Sequence, residues 1–168
     1  MKILLTAFEP YEQWGENASW LTLVRLLQER PPFAGLTTRR YPVDWEVARQ
    51  RLYADLAADF DVVLHLGQCP GAAEIRLEAL AVNAAGRPGR DAWDLPPLVC
   101  GGPEAYRSRL PLGHWQKLLT ERDLPSTISY HAGTYLCNAA MYWSHHWMAE
   151  RGLPGRVGFV HLPLTTQQ

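Results

Sequence analysis

Residues Asp61–Leu66 read DVVLHL. A strand that is wet on one face alternates apolar and polar residues. This one is nearly all apolar, as a strand is when both faces are covered at the centre of a parallel sheet. Gly67–Gly71, GQCPG, turns the chain at that strand's carboxyl end.

The elements around it alternate in kind. Upstream, Lys2–Ala7 is a short apolar run and reads as a first strand. A loop follows, broken by Pro10, Gly15 and Asn17, and Asn17 or Ser19 can cap the next helix. In that helix Trp20, Leu23, Val24 and Leu27 form one apolar face, and the run RPPF ends it. Leu36–Pro42 reads as a strand, and Asp44 caps a helix to about Asp59. Downstream, residues 75–83 alternate and predict a single strand. Residues 84–113 are rich in Pro and Gly, with room for a short hairpin. A short helix over HWQKLLTERD comes next. It is followed by a strand over 126–130, a helix over 135–151 and a last strand over 157–162. This order predicts an α/β fold, a three-layer αβα sandwich around a mostly parallel twisted sheet. Sites in such sheets form beyond the carboxyl ends of the strands. That rule selects Phe8–Asn17, GQCPG, the turn before Cys137 and the residues near His161.

The 168 residues suggest one domain, 1–168. A net charge of −1 with no basic block disfavours nucleic acid as a partner. No apolar run approaches the roughly 20 residues of a membrane span. The start MKILLTAFEP reads as a strand and not a signal peptide, so the expected location is cytoplasmic. Cys69, Cys100 and Cys137 are odd in number, widely spaced and without CxxC, which argues against a disulfide framework or a zinc site.

Cys137 follows SYHAGTYL at the start of a helix, where unpaired N–H groups and the helix dipole favour a thiolate. It is either a small core residue or a nucleophile with neighbouring N–H groups as an oxyanion hole. A nucleophilic thiolate needs a base and a group to orient that base. His161, in VGFVHLP, sits where an apolar strand runs into a proline and is the candidate base. His65 reads as a core histidine, His114 as a surface residue, and His145 and His146 as surface or packing residues. His131 is near Cys137 in sequence, without assurance that it shares its face. Glu78 is a carboxylate inside a half-buried strand, where charge needs a partner.

Taken together, SYHAGTYLCN, GQ followed by LEALAVN, FEPYEQWGENASW and GFVHLP resemble the pyroglutamyl peptidase I (pyrrolidone-carboxylate peptidase) family of cysteine peptidases. The resemblance runs from Lys2 to about Pro163. It implies a cysteine exopeptidase that removes an N-terminal pyroglutamyl residue from peptides through an acyl-enzyme, with no metal or cofactor. It places Cys137 on the nucleophile, His161 on the general base and Glu78 on the acid that orients it. Phe8 and Tyr11 fall on the aromatic positions that hold the lactam ring, Asn17 in the same loop, and Gln68 on the glutamine beside the site. In one placement of the gaps, Arg87 falls on an arginine after the glutamate strand. Bacterial members of the family often form tetramers, so a homo-oligomer, a dimer or a tetramer, is implied.

The chain also departs from the pattern. Ala7 replaces a glycine, Tyr11 a phenylalanine, Glu12 and Gln13 two glycines, and Ala79 an arginine. GQCPGAAE replaces a more glycine-rich run that contains an arginine. The chain stops seven residues after His161, where the family continues into a C-terminal helix, so it reads as short at that end. These departures motivate an alternative, a catalytically impaired or non-catalytic relative acting as a binding module. A thiol-redox protein using Cys69 and Cys137 is a third reading.

Overall fold

The computed structural model describes residues 1–29, 33–87, 95–165 and 168. The chain order is β1 (Ile3–Phe8), α1 (Ala18–Glu29), β2 (Leu36–Tyr41), α2 (Trp45–Leu56), β3 (Val62–Gln68), β4 (Ile75–Glu78) and β5 (Leu80–Val82). It continues with β6 (Ala105–Arg107), α3 (Leu112–Thr120), β7 (Ser126–Ser129), α4 (Leu136–Glu150) and β8 (Arg156–Leu162).

Six strands form one sheet in the order β2-β1-β3-β8-β4-β7. The pairs β1–β2, β1–β3, β3–β8 and β4–β7 are parallel, and β4–β8 is antiparallel. The DVVLHL run is central as expected: β3 lies between β1 and β8, with Val63 and His65 fully buried. His65 tolerates that position because the hydroxyls of Thr6 and Ser144 hydrogen-bond its two ring nitrogens, at 2.7 and 3.0 Å. From β1 the chain departs one way to β2 and later returns on the other side to β3. The gap between the carboxyl ends of β1 and β3 is therefore the topological switch point, where such sheets bind ligands.

Each face of the sheet carries its own core. Leu4, Phe8, Val63, Val157 and Phe159 point to the face covered by α2 and α4. Leu5, Ala7, Leu66, Leu77 and Val160 point to the face covered by α1 and α3. Each of the Val, Leu and Phe side chains among them, once buried, stabilises the fold by roughly 1.5–3 kcal/mol. The alternation along β1 and β8 thus produces the three layers. Asp44 caps α2, its carboxylate accepting from the Val47 amide at 2.8 Å. Asn17 does the same for α1, accepting from the Ser19 amide at 3.0 Å.

Two expectations need correction. Residues 75–83 are not one strand. Ala79 breaks the run: its amide donates to Ser129, while its carbonyl accepts from Ser108. The backbone thus leaves the main sheet and enters a two-stranded ribbon, β5 with β6 antiparallel. The side chains change sides there, since Ala79 belongs to one core and Ala81 to the other. Among the described residues of the Pro- and Gly-rich stretch the strand is β6, and its partner β5 lies outside that stretch; residues 88–94 lie outside the described residues. No helix among the described residues is long and apolar enough to cross a membrane.

Candidate active site

The site grows out of one row across the strand ends. His161 on β8 is in register with Gly67 on β3. Phe8 stands one rung beyond the Thr6–His65 pair of β1 and β3. Gly67 lacks a side chain, and the space above it receives the sulfur of Cys137. A Cβ built on Gly67 would lie 2.5 Å from the Phe159 ring and 3.3 Å from Cys137 Sγ.

Cys137 is the second residue of α4. Tyr135, the N-cap, has an extended backbone and no side-chain capping bond, so among the described residues no side chain caps the first-turn N–H groups near the sulfur. Gly133 enters this turn at φ 76, in the left-handed region that glycine adopts freely. Asn138, fully buried, ties the helix start to β5. Its side-chain oxygen accepts from the Val82 amide at 2.8 Å, and its nitrogen donates to the Val82 carbonyl at 2.9 Å.

Glu78 is fully buried, and its Oε1 accepts from His161 Nδ1 at 2.8 Å. That bond fixes the imidazole and leaves Nε2 for the sulfur. Burial by itself disfavours the charged imidazolium. The negative charge and hydrogen bond of Cys137, together with Glu78, outweigh it, and the His161 pKa is pushed up to about 10. At neutral pH His161 is therefore an imidazolium facing the sulfur of Cys137.

Next to Cys137 lies a cleft with about 340 Å³ of atom-free space, part of it open to solvent. Phe8, Tyr11, Asn17 and Gln68 line it as the sequence suggested, joined by Val43, Tyr135 and Leu136. The first three form an aromatic and polar wall. Gln68 is nearly buried, and its Oε1 accepts from the Ala18 amide at 2.7 Å, while among the described residues its Nε2 has no hydrogen-bond partner. Asn17 is a brace: its Nδ2 donates to the Glu9 carbonyl at 3.0 Å and its Oδ1 caps α1. Burial first, then the charge of Cys137, raises the Tyr11 pKa to about 12, so its hydroxyl stays protonated.

Arg87 does not line this cleft. Its guanidinium lies over the Trp45 ring and pairs with Glu46 at 2.8 Å. The other histidines also stand apart. His131 accepts from the Gly133 amide within its own turn, His114 is exposed, and His145 stacks on Tyr106. Cys69, Cys100 and Cys137 are free thiols. Among the described residues no group of three or more His, Cys, Asp or Glu converges as a metal ion would require.

Sequence reasoning missed Val43 and Tyr135. Val43 follows the carboxyl end of β2, a place the strand-end rule covers. Tyr135 lies within the cysteine motif, and an aromatic two residues before Cys137 is itself the available signal.

A family model described as pyroglutamyl peptidase matches residues 1–168. The pyrrolidone-carboxylate peptidase of Pyrococcus furiosus is 36% identical over 173 residues, covering 100% of this chain and 83% of the relative. That of Chromobacterium violaceum is 37% identical over 172 residues, covering 99% and 79%. The crystal structure of pyrrolidone carboxyl peptidase from Fervidobacterium islandicum matches with a TM-score of 0.89 at 32% identity, covering 100% of this chain and 83% of that one.

Proposed function

Because the chain belongs to the pyroglutamyl peptidase family, we propose that Cys137, His161 and Glu78 carry the family's reaction here. That reaction removes an N-terminal pyroglutamyl residue from peptides by a thiol hydrolase mechanism. The observation that carries the assignment is the buried Glu78–His161 bond, aimed at a cysteine that opens onto an aromatic cleft.

The lactam ring is flat and uncharged, and it enters the cleft against Phe8, Tyr11, Val43 and Tyr135. Gln68 Nε2, a buried donor in the cleft with no partner among the described residues, meets the ring carbonyl. Proline has no such carbonyl and would leave that donor unpaired, so it is rejected. Asn17 shapes the cleft without spending a bond on the ligand.

The Cys137 thiolate attacks the carbonyl that joins pyroglutamate to the next residue. The oxyanion forms against the open N–H groups at the start of α4. His161 gives its Nε2 proton to the departing amine, which breaks the peptide bond and leaves a thioester. Water then attacks the thioester, His161 takes its proton, and pyroglutamate leaves with the thiolate restored. Glu78 keeps the imidazole oriented throughout.

Residues 1–168 are read as one peptidase domain, because both cores draw on elements from both halves of the chain. A reduced nucleophile among three free thiols suits the cytoplasm. The exposed Leu26 and Leu118 offer apolar area for a homo-oligomer, dimer or tetramer, which size-exclusion chromatography would resolve.

The deciding experiment is hydrolysis of a pyroglutamyl chromogenic amide under reducing conditions, by the wild type and by Cys137→Ser. Turnover by the first and none by the second is expected. Full activity in Cys137→Ser would refute the nucleophile, and a wild type that binds without turnover would establish a binding module instead.

A further inference from the structure

Arg76 is a cation to which the mechanism gives no task. It stands on β4 directly opposite His161 of β8, and two residues before Glu78. Opposed residues of an antiparallel pair project to one face, as do residues i and i+2 of a strand. Arg76 therefore shares with Glu78 and His161 the face that receives Cys137. Leu77 and Val160, one step along each strand, lie together in the other core, as this geometry requires.

The position along β4 is informative. Glu78 faces Phe159, inside the molecule, whereas Arg76 is one rung nearer the carboxyl end of β8. Arg76 is half-buried, and its Nη1 reaches the sulfur of Cys69 at 3.8 Å, at the carboxyl end of β3. A thiol is a weak acceptor, and most of the guanidinium fork is left over. Among the described residues no carboxylate forms an ion pair with it.

The row across the strand ends now reads Phe8, Gly67, His161, Arg76. With Cys137 seated above Gly67, the two ends of the row face the two sides of the scissile bond. The Phe8 end holds the lactam ring, and the His161 end receives the departing amine. Arg76 lies one strand further along the departing peptide.

We propose that Arg76 binds a carboxylate on the first residue of the leaving peptide and makes the enzyme favour substrates that carry one. This rests on the catalytic reading of Cys137 and His161 given above. The carboxylate comes from an Asp or Glu side chain next to pyroglutamate, or from the free α-carboxylate of a pyroglutamyl dipeptide. Both place an anion a few bonds from the leaving nitrogen, and the planar guanidinium matches either.

Two matched pairs of substrates test it: pyroglutamyl-Glu-amide against pyroglutamyl-Gln-amide, and pyroglutamyl-Ala acid against pyroglutamyl-Ala-amide. The wild type should favour the anionic member of at least one pair by about fivefold in kcat/KM, mainly through KM, and less so as salt is added. Preference in the first pair alone identifies the side chain as the source, and in the second alone the α-carboxylate. In Arg76→Gln the ratio should fall to about one, and Arg76→Glu should turn the preference toward pyroglutamyl-Lys-amide. Ratios of one in both pairs for the wild type would overturn the proposal without any variant having to fold. So would a wild-type ratio kept in Arg76→Gln. Failure to hydrolyse all four substrates would overturn the peptidase reading itself, and the proposal with it.

Discussion

Replacing Gly67 by alanine adds a single methyl group at the centre of the site. The backbone there is not in the left-handed region, so the effect is one of space alone. The new carbon would stand 2.5 Å from the Phe159 ring, far inside contact distance, and 3.3 Å from Cys137 Sγ. Phe159 is fully buried and cannot swing away. Its ring packs on Phe8, His65 and His161, with centroids 6.3, 5.9 and 4.6 Å away. Any shift of Phe159 therefore moves a wall of the cleft or the His161 imidazole. Overpacking of this kind costs about 1–3 kcal/mol. At roughly 2–4 °C per kcal/mol, that lowers Tm by about 2–12 °C in a chain of this size. The sulfur must also give by a few tenths of an ångström; since misplacement by about 1 Å costs on the order of a hundredfold in rate, this shift predicts a loss of roughly severalfold in kcat. Thermal unfolding by circular dichroism and release of a chromogenic amine from its pyroglutamyl amide measure the two effects separately. A Gly67→Ala enzyme with the wild-type melting curve and the wild-type kcat would refute the idea that the empty place above Gly67 seats the nucleophile.

Two further outcomes follow from charges inside the fold. In Glu78→Gln the carboxylate is lost while its shape is kept. Losing a charged hydrogen bond of about 1.5–3 kcal/mol predicts a fall in kcat/KM of about 10- to 150-fold. Because Glu78 helps hold the His161 pKa near 10, the alkaline limb of the rate profile should also move to lower pH. An unmoved limb would show that Glu78 does not act through the histidine. His65 tests acid stability. Burial first, with the nearby His145, pushes its pKa down to about 3, below the ordinary 6.5. The unfolded chain binds this proton below pH 6.5 and the folded one does not. Stability is therefore full above pH 6.5 and falls by about 1.4 kcal/mol per pH unit as pH drops toward 3. Urea unfolding of wild type and His65→Asn across that range should differ by about one proton in slope, and equal slopes would count against it.

Much of this was legible in the sequence, for identifiable reasons. Strand β3 declares itself because a strand covered on both faces has no polar alternation. Helix α2 declares itself through Asp44, since a cap is a local device. Cys137, His161 and Glu78 were recoverable because each is an unusual residue type for its place: a thiol at a helix start, an imidazole at a strand end and a carboxylate inside a strand. The break at Ala79 was not legible. Its alternation continues unbroken, and only distant partners, Ser129 and Ser108, redirect the backbone. Arg87 failed for a related reason, since a position after a long loop is set by what the loop packs against, here Trp45 and Glu46. Gly67 carries no signal at all by itself. Its meaning depends on a sulfur that arrives 70 residues later in the chain.

The reversed direction of β4 bears on how this enzyme can change over evolutionary time. Glu78 is held in place by pairing on both sides, with β8 and with β7, and not by the turn that leads into it. The turn from Cys69 to Glu74 can therefore drift in length and composition while the acid stays opposite the histidine's strand. In this chain that turn reads Cys-Pro-Gly-Ala-Ala-Glu. Mutational tolerance and catalytic constraint are divided between adjacent stretches of the same connection, so new substrate preferences can be explored at the rim without disturbing the chemistry.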